Sequence, residues 1–537
     1  MLDRSDGPSL RSGFIHNVCK NPDRIAVVVR DKAYTYEELD VRARKWAGTL
    51  TSDGGTRPER VAIFAYRSDV AYAGTLAALY AGATYVPLNP TFPIEKTASM
   101  LEQADVDAVI VDKACLAQAQ QVLGTSPRVP VLVPEFERSN LPFDGGTIFD
   151  GPVLEDADPL QHDRLPPLTP DDVAYLLFTS GSTGVPKGVP VTHGNAFYFI
   201  DAMSRRYGIA PVDRFSQTFD QTFDLSVFDL FMAWTNGASV YAMSPVDLLS
   251  PTKFISRNQI TVWFSVPSVA AQMRRRNTLR PDSLPSLRWS LFCGEPLPEE
   301  SADAWQAAAP NSIVENLYGP TELTIACFAY RWKSNVSRRL CRNGVVPIGR
   351  PYEGLAALVV DENLSPVSDG NTGELCVSGP QTTPGYWRSP GKTAERYVEL
   401  PISRHETRRF YRTGDLVART ATGDYVFLGR ADSQIKVLGH RVELGEIEAV
   451  LRSHPRVEHA AAFGSPMTGI SAEAIVAFVS GDDLNLDEIF ELAKANLPPY
   501  VVPRRIVPLA MMPLNANGKV DRRNLQNRLN ELEPQPA

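Results

Sequence analysis

Short apolar runs separated by polar and helical stretches recur along the first 180 residues, at 25–29, 61–64, 85–88, 108–111, 131–133 and 173–178. Between them lie helical stretches such as 71–81, made largely of small residues. Strand-like runs alternating with helices predict an α/β fold of layered, mostly parallel sheets. Residues 134–170 are rich in Pro, Asp and Gly, which predicts a surface connection into the strand at 173–178. The pattern changes near 430. Residues 423–430 read as a hairpin entering a strand. After them come strand-like 435–437, helix-like 444–453, strand-like 474–479 and helix-like 486–496. This α+β stretch of about 100 residues has the size of a domain. The expected organisation is a large N-terminal body, 1–430, and a small mobile C-terminal lid, 431–537. No tandem repeat is present.

Composition narrows the function classes. A chain of 537 residues with 43% hydrophobic and 22% charged residues is globular and long enough for two or three domains. Its net charge of -8 argues against broad nucleic-acid binding, which needs a basic surface. The clusters Arg274–Arg276 and Arg408–Arg409 are short and read as solvated or locally paired faces. Six cysteines are scattered without CxxC spacing, so neither structural zinc nor a disulfide framework is expected. The first residues carry charges and no apolar core of a signal peptide, and no apolar run reaches membrane-spanning length. The expectation is a cytoplasmic protein with no membrane or nucleic-acid partner.

The segment Thr179, Ser180, Gly181, Ser182, Thr183, Gly184, Val185, Pro186, Lys187, Gly188 follows the strand-like run at 173–178. Glycines allow a tight bend, while hydroxyls, freed N–H groups and a lysine can surround phosphate oxygens. A nucleotide-phosphate loop and a plain flexible turn both fit. The GxxxxGK[ST] pattern does not, because Gly188 follows Lys187. Tyr318-Gly319-Pro320-Thr321-Glu322 offers a ring for a purine and oxygen ligands for Mg²⁺, or is a surface turn with a core tyrosine. Asp415 ends Tyr411-Arg412-Thr413-Gly414-Asp415, where an acid can accept from two ribose hydroxyls or form a turn. Lys519 follows an Asn517-Gly518 turn, where a surface charge is the plainer reading of the lysine alone.

In this order and at these separations, the motifs resemble the ANL superfamily of adenylate-forming enzymes, and within it the adenylation domains of nonribosomal peptide synthesis. Segments 34–39, 81–88, 373–376, 429–437, 439–448 and 497–503 carry further parts of the resemblance, which covers nearly the whole chain. It implies ATP-dependent formation of an acyl adenylate, release of pyrophosphate, and transfer of the acyl group to a phosphopantetheine thiol. By the same resemblance, Thr179, Ser180, Gly181, Ser182, Thr183, Gly184 and Lys187 hold the triphosphate. Tyr318, beside Gly319, stacks on adenine. Thr321 and Glu322 serve phosphate and Mg²⁺, and Asp415 and Arg430 the ribose. Lys519 bridges the substrate carboxylate and the α-phosphate, and Asp432 is the hinge of the lid. Residues 436–441 form part of a pantetheine tunnel. Asn89 stands where the family usually has Asp, and 381–386 replaces a more usual Ala-Arg-Gly-Tyr run. Neither departure is expected to touch the chemistry.

Asp224 matches the family aspartate that binds an α-amino group, against the plainer reading of an Asp at a helix start. The remaining pocket positions project onto Leu225, Phe228, Phe264, Leu291, Cys293, Leu317, Ile325 and Ala326, with Lys519 at the carboxylate end. This lining offers no partner to a charged or amide side chain. A small apolar amino acid is implied, and the set resembles free-standing L-proline-activating enzymes. Alanine, glycine and D-alanine are the alternatives. With 18 residues after Lys519, the thiol acceptor is expected to be a separate carrier protein. Competing readings are an acyl- or aryl-CoA synthetase and a silent nucleotide-binding scaffold. Asp224 speaks against the first, and the presence of Lys519, Glu322 and Asp415 against the second.

Overall fold

The computed structural model describes residues 8–52, 57–179, 186–403, 405–431, 434–468, 471–513 and 520–532. Within them the expected alternation becomes two large, mainly parallel sheets. The first has seven strands in the spatial order Ile148–Asp150, Val131–Val133, Ala108–Val111, Arg60–Phe64, Thr84–Leu88, Val173–Thr179 and Lys187–Thr192. Its pairs are parallel except the last, Val173–Thr179 with Lys187–Thr192. The second has nine strands. Its parallel centre includes Arg214–Gln217, Val262–Ser265, Trp289–Phe292 and Ile313–Tyr318, and its edges are antiparallel.

The helix Asp69–Tyr80 begins two residues before the expected start, because the Ser68 side chain caps it by accepting from the Ala71 N–H. Its residues from Val70 to Tyr80 are all buried, as befits a helix that is apolar around its whole circumference. The connection 134–170 differs from expectation. It adds the short edge strand Ile148–Asp150 to the first sheet, and Asp150 then caps the helix Gly151–Asp156. Three residues, two of them half-buried, leave too little apolar pattern for the strand to be read in advance.

An antiparallel sheet follows between 356 and 430, built from Ala356–Val360, Thr372–Ser378, Tyr397–Ser403, Glu406–Arg419 and Tyr425–Arg430. From Gln434 onward the chain forms a mixed sheet of its own, with a core that includes Ile447, Leu451, Ile475, Val479 and Ile489. Helix Arg522–Leu532 covers another part of that sheet through Leu525 and Leu529. No helix among the described residues is long and apolar enough to cross a membrane.

Beneath the central strands of the nine-stranded sheet, a buried charge cluster fixes the strand that carries Tyr318. Glu315 is fully buried and accepts hydrogen bonds from Arg206 at 2.9 Å, Arg331 at 3.1 Å and the Tyr207 hydroxyl at 3.2 Å. Removing Glu315 leaves the buried Tyr207 hydroxyl without its acceptor, while Arg206 and Arg331 are partly exposed and reach water. Glu315→Ala is expected to cost about 1–3 kcal/mol, read as a lower thermal midpoint. An unchanged midpoint would show that the cluster is dispensable.

Candidate functional site

A cavity opens at the C-terminal ends of the parallel strands in the nine-stranded sheet, the usual place for a ligand in such sheets. Leu177, Phe178 and Thr179 line one side, Phe223, Asp224 and Leu225 another, and Gly294, Leu317, Tyr318 and Thr321 its floor. Gly319 is required by close approach, since a Cβ there would lie 2.6 Å from the Ala326 Cα.

Asp224 occupies the N-cap position of helix Leu225–Thr235, yet its side chain makes no capping hydrogen bond. It turns into the cavity instead, where Oδ2 is buried without a hydrogen-bond partner. Burial pushes its pKa up to about 6, against the pull of Thr321 and of the Lys436 ammonium. A buried carboxylate with a spare oxygen suits a ligand ammonium. Behind it the apolar positions converge. Phe228 and Phe264 meet edge to face at 4.8 Å, and Phe228 also touches the rings of Phe199, Tyr207 and Phe215. Leu225 and Leu317 face the cavity directly. Phe228, Phe264, Leu291, Cys293, Ile325 and Ala326 are fully buried behind that lining and close off depth.

The opposite end suits a nucleoside. Asp415 and Arg430 face each other across paired strands, and the guanidinium sits 2.5 Å from the carboxylate. The Tyr318 hydroxyl donates to the other Asp415 oxygen. Val345, Val346, Ile348 and Phe427 complete an apolar wall. Asn316, which the sequence reading missed, lines the same end. Its amide N–H₂ donates to the carbonyls of Val346 and Pro347, while its buried Oδ1 has no hydrogen-bond partner. That leaves one acceptor for a planar amine. Its place directly before Leu317 and Tyr318 was the available signal.

Thr179 and Lys187 pair in register across antiparallel strands, so they close the neck of the glycine loop. Ser180, Gly181, Ser182, Thr183 and Gly184 lie outside the described residues, as do Asp432 and Lys519. Glu322 is buried and accepts from the Tyr386 hydroxyl at 2.7 Å. Burial alone would raise its pKa, but Arg441 and Tyr386 bring it below the ordinary value, so it is ionised. An ionised, buried carboxylate beside the cavity fits a bound Mg²⁺. Among the described residues, no group of three or more His, Cys, Asp or Glu side chains is placed to hold a metal without help from a ligand.

The departure at 381–386 does touch this machinery, contrary to expectation. Gln381 donates to the carbonyls of Leu323, Thr324 and Ala326, and the Thr324 hydroxyl donates back to the Gln381 carbonyl. Those bonds hold Thr324 and Ile325 at φ of 57° and 72°, a left-handed conformation costly for branched residues. Tyr386 of the same segment binds Glu322. The segment therefore shapes the loop between Glu322 and the apolar pocket.

A hairpin formed by Gln434–Val437 and His440–Glu443 fills the front of the cavity. The Gly439 N–H donates to Glu295 at 2.6 Å, and Arg441 reaches both oxygens of Glu322 at 3.3 Å. His440 stacks on Tyr500 with ring centroids 3.6 Å apart and meets Phe223 edge-on at 4.5 Å. Burial lowers the His440 pKa, which keeps the imidazole neutral in that stack. Lys436 lines the cavity, and burial lowers its pKa as well. A second groove, lined by Asn89, Thr91, Asp220, Val266, Val269 and Leu438, shares Phe223, His440 and Tyr500 with the cavity. It offers a second approach from the surface.

The AMP-binding enzyme family matches residues 14–387, and the AMP-binding enzyme C-terminal domain matches residues 446–519. An L-proline--[L-prolyl-carrier protein] ligase of Pseudomonas fluorescens is 34% identical over 518 residues, covering 96% of this chain and 98% of the relative. A protein of the same name from Streptomyces coelicolor is 36% identical over 514 residues, covering 94% and 93%. The crystal structure of the Vibrio cholerae adenylation domain AlmE, in complex with glycyl-adenosine-5'-phosphate, is similar with a TM-score of 0.86. It is 31% identical and covers 99% of both chains.

A ligand ammonium seated on Asp224 needs that carboxylate charged. With a pKa of about 6, protonation removes the charge as pH falls. The KM for the amino-acid substrate is therefore expected to rise about tenfold between pH 7 and pH 5, beyond any change in the KM for ATP. Asp224→Asn is expected to raise KM at every pH and to flatten this dependence. A wild-type KM that does not vary with pH would remove the ammonium from Asp224.

Proposed function

The chain belongs to the family of AMP-binding enzymes, and from that premise we propose an ATP-dependent ligase that activates L-proline and passes it to the phosphopantetheine thiol of a separate carrier protein. The observation that carries this reading is Asp224, a buried carboxylate with one unpartnered oxygen, set before a floor closed by Phe228 and Phe264. A compact apolar amino acid with a secondary ammonium meets both demands. The two near-full-length relatives named as prolyl-carrier ligases support the same choice.

In the first step a carboxylate oxygen of the amino acid attacks the α-phosphorus of ATP. The bond from that phosphorus to the bridging oxygen breaks, and pyrophosphate leaves. In the second step the thiol sulfur attacks the acyl carbon, the thiol proton is lost to solvent, and AMP departs. Asn316 Oδ1 accepts from the adenine amine, Tyr318 stacks on the base, and Asp415 with Arg430 takes the ribose hydroxyls. The loop from Thr179 to Lys187 and Thr321 hold phosphate oxygens. Glu322 would hold Mg²⁺, which would offset the negative charge on the phosphates. Lys519 would bridge the substrate carboxylate and the α-phosphate in the first step, supplying positive charge that favours the transition state over the ground state.

Residues 1–430 act as the body and 431–537 as a lid that turns about Asp432 between steps. The hairpin at 434–443 and the second groove form the thiol's approach. A cytoplasmic location, where ATP is available, goes with this reading. The glycyl adenylate bound by the Vibrio cholerae relative favours glycine as the second reading of the pocket.

A pyrophosphate-exchange panel over proline, alanine, glycine, D-alanine, serine and valine is expected to favour proline by at least about tenfold, a gap of about 1.4 kcal/mol. A higher rate with glycine would transfer the assignment to it, and no exchange with any amino acid would overturn the reaction class. Lys519→Ala is expected to slow adenylate formation by about a hundredfold or more. Transfer from preformed adenylate should change far less. Equal losses in both steps would sink the two-conformation reading.

A further inference from the structure

Asp224 stands on one large sheet, yet the loop that carries it is gripped from the other. That loop joins strand Arg214–Gln217 of the nine-stranded sheet to helix Leu225–Thr235. Arg67 lies between strand Arg60–Phe64 of the seven-stranded sheet and helix Asp69–Tyr80. Its guanidinium donates to the carbonyls of Thr218 at 2.6 Å, Met243 at 3.0 Å and Gln217 at 3.3 Å. The Gln221 amide makes a second grip, donating to the Thr75 hydroxyl at 2.9 Å and the Ala71 carbonyl at 3.4 Å, both on helix Asp69–Tyr80. Thr218 passes the first grip on, because its hydroxyl donates to the Phe264 carbonyl at 2.5 Å. Phe264 closes the apolar pocket together with Phe228. One arginine therefore ties the start of the Asp224 loop to the floor of the pocket.

Gln217, Thr218, Gln221 and Thr75 are buried, so water does not compete for these bonds. Arg67 forms no ion pair among the described residues, and its charge is given to the three carbonyl oxygens. Asp229 is fully buried on helix Leu225–Thr235, and burial pushes its carboxyl well above the usual carboxylate range against the pull of Arg67. That weakens it as a competitor for the guanidinium. Arg67 itself holds φ at 48°, a left-handed conformation that persists where surrounding bonds over-determine it. On the reading of Asp224 as the seat of the substrate ammonium, we propose that Arg67 is a positioning residue that sets the spacing between that seat and the floor at Phe264, and so the fit of the amino acid. Arg67 is not part of the cavity lining and acts through the loop. A lysine would keep the charge without the fork that spans neighbouring carbonyls.

Pyrophosphate exchange tests this with whichever amino acid the wild-type protein prefers, and it needs no thiol, which matters because Arg67 also lines the second groove. Arg67→Met is expected to raise the KM for the amino acid about tenfold or more, with the KM for ATP changed less than about twofold. Arg67→Lys should recover part of that loss. Thr75→Val, which removes the acceptor of the second grip, should raise the same KM about threefold. Hydrogen exchange of the 218–224 backbone, measured without substrates, should rise about tenfold in Arg67→Met. If Arg67→Met does not fold, Arg67→Lys and Thr75→Val carry the same comparison. Unchanged exchange in 218–224, or equal rises in the two KM values, would overturn this proposal and leave the functional reading intact. No exchange by the wild-type protein with any amino acid would overturn both.

Discussion

A carboxylate taken out of water must find a positive partner or give up its charge, and three carboxylates around this cavity meet that demand to different degrees. Asp415 is settled within the body by Arg430 and the Tyr318 hydroxyl. Glu322 is settled by Tyr386 from the body and by Arg441 from the hairpin, a partner that another segment lends. Asp224 keeps one oxygen without a partner, and its pKa is pushed up accordingly. These three levels of satisfaction leave one carboxylate paired within the body, one that shares its partners with the hairpin, and one with an oxygen open to a ligand cation. The apolar residues behind Asp224 sharpen that last demand, since they keep competing polar partners away.

Much of this was legible in the chain. The strands at 25–29, 108–111 and 131–133 fall where their apolar runs place them, because continuous buried runs between polar breaks leave little freedom of assignment. Asp224, Tyr318 and Asp415, each singled out in a short local motif, line one cavity. The antiparallel strands between 356 and 430 were read only near their end, at 423–430. Gln381 was misjudged for a related reason. Its function is to bond the carbonyls of Leu323, Thr324 and Ala326, residues 55 to 58 positions away, and no local pattern carries a contact of that span.

Strain marks the same places. Thr324, Ile325 and Leu438 are non-glycine residues with φ between 48° and 72°. Such conformations persist where surrounding bonds over-determine them. For Thr324 and Ile325 the surrounding bonds come from Gln381, so the shape of the loop beside the apolar pocket is set by a segment of the antiparallel region. For Leu438 the constraint lies next door, where Gly439 donates to Glu295 and a Cβ would meet Val266 at 2.4 Å. The hairpin tip therefore fits this cavity through a backbone contact that no larger residue at 439 allows. The loop beside the apolar pocket is thus shaped from outside the lining by Gln381, while the hairpin tip is seated by Gly439 and Glu295 within it.

On the proposed function, a lid that turns between two reaction steps cannot be held strongly in either position. A two-state element responds to a ligand only by the ligand's differential affinity, and a gap of several kcal/mol would leave one state unpopulated. Buried charge threatens that balance, because undocking the hairpin alone would strip Glu322 and Lys187 of the opposite charges that Arg441 and Glu443 supply. Matching the signs removes the threat. If a metal ion and phosphate take Glu322 and Lys187 when the hairpin leaves, neither state carries a bare buried charge, and the difference between them reduces to which set of ions is present. His440 adds a neutral contact to the same end, since its edge-on meeting with Phe223 of the body favours docking without adding a charge that undocking would expose. The balance is then tipped by the reactants themselves, which is the condition for a lid that follows the chemistry.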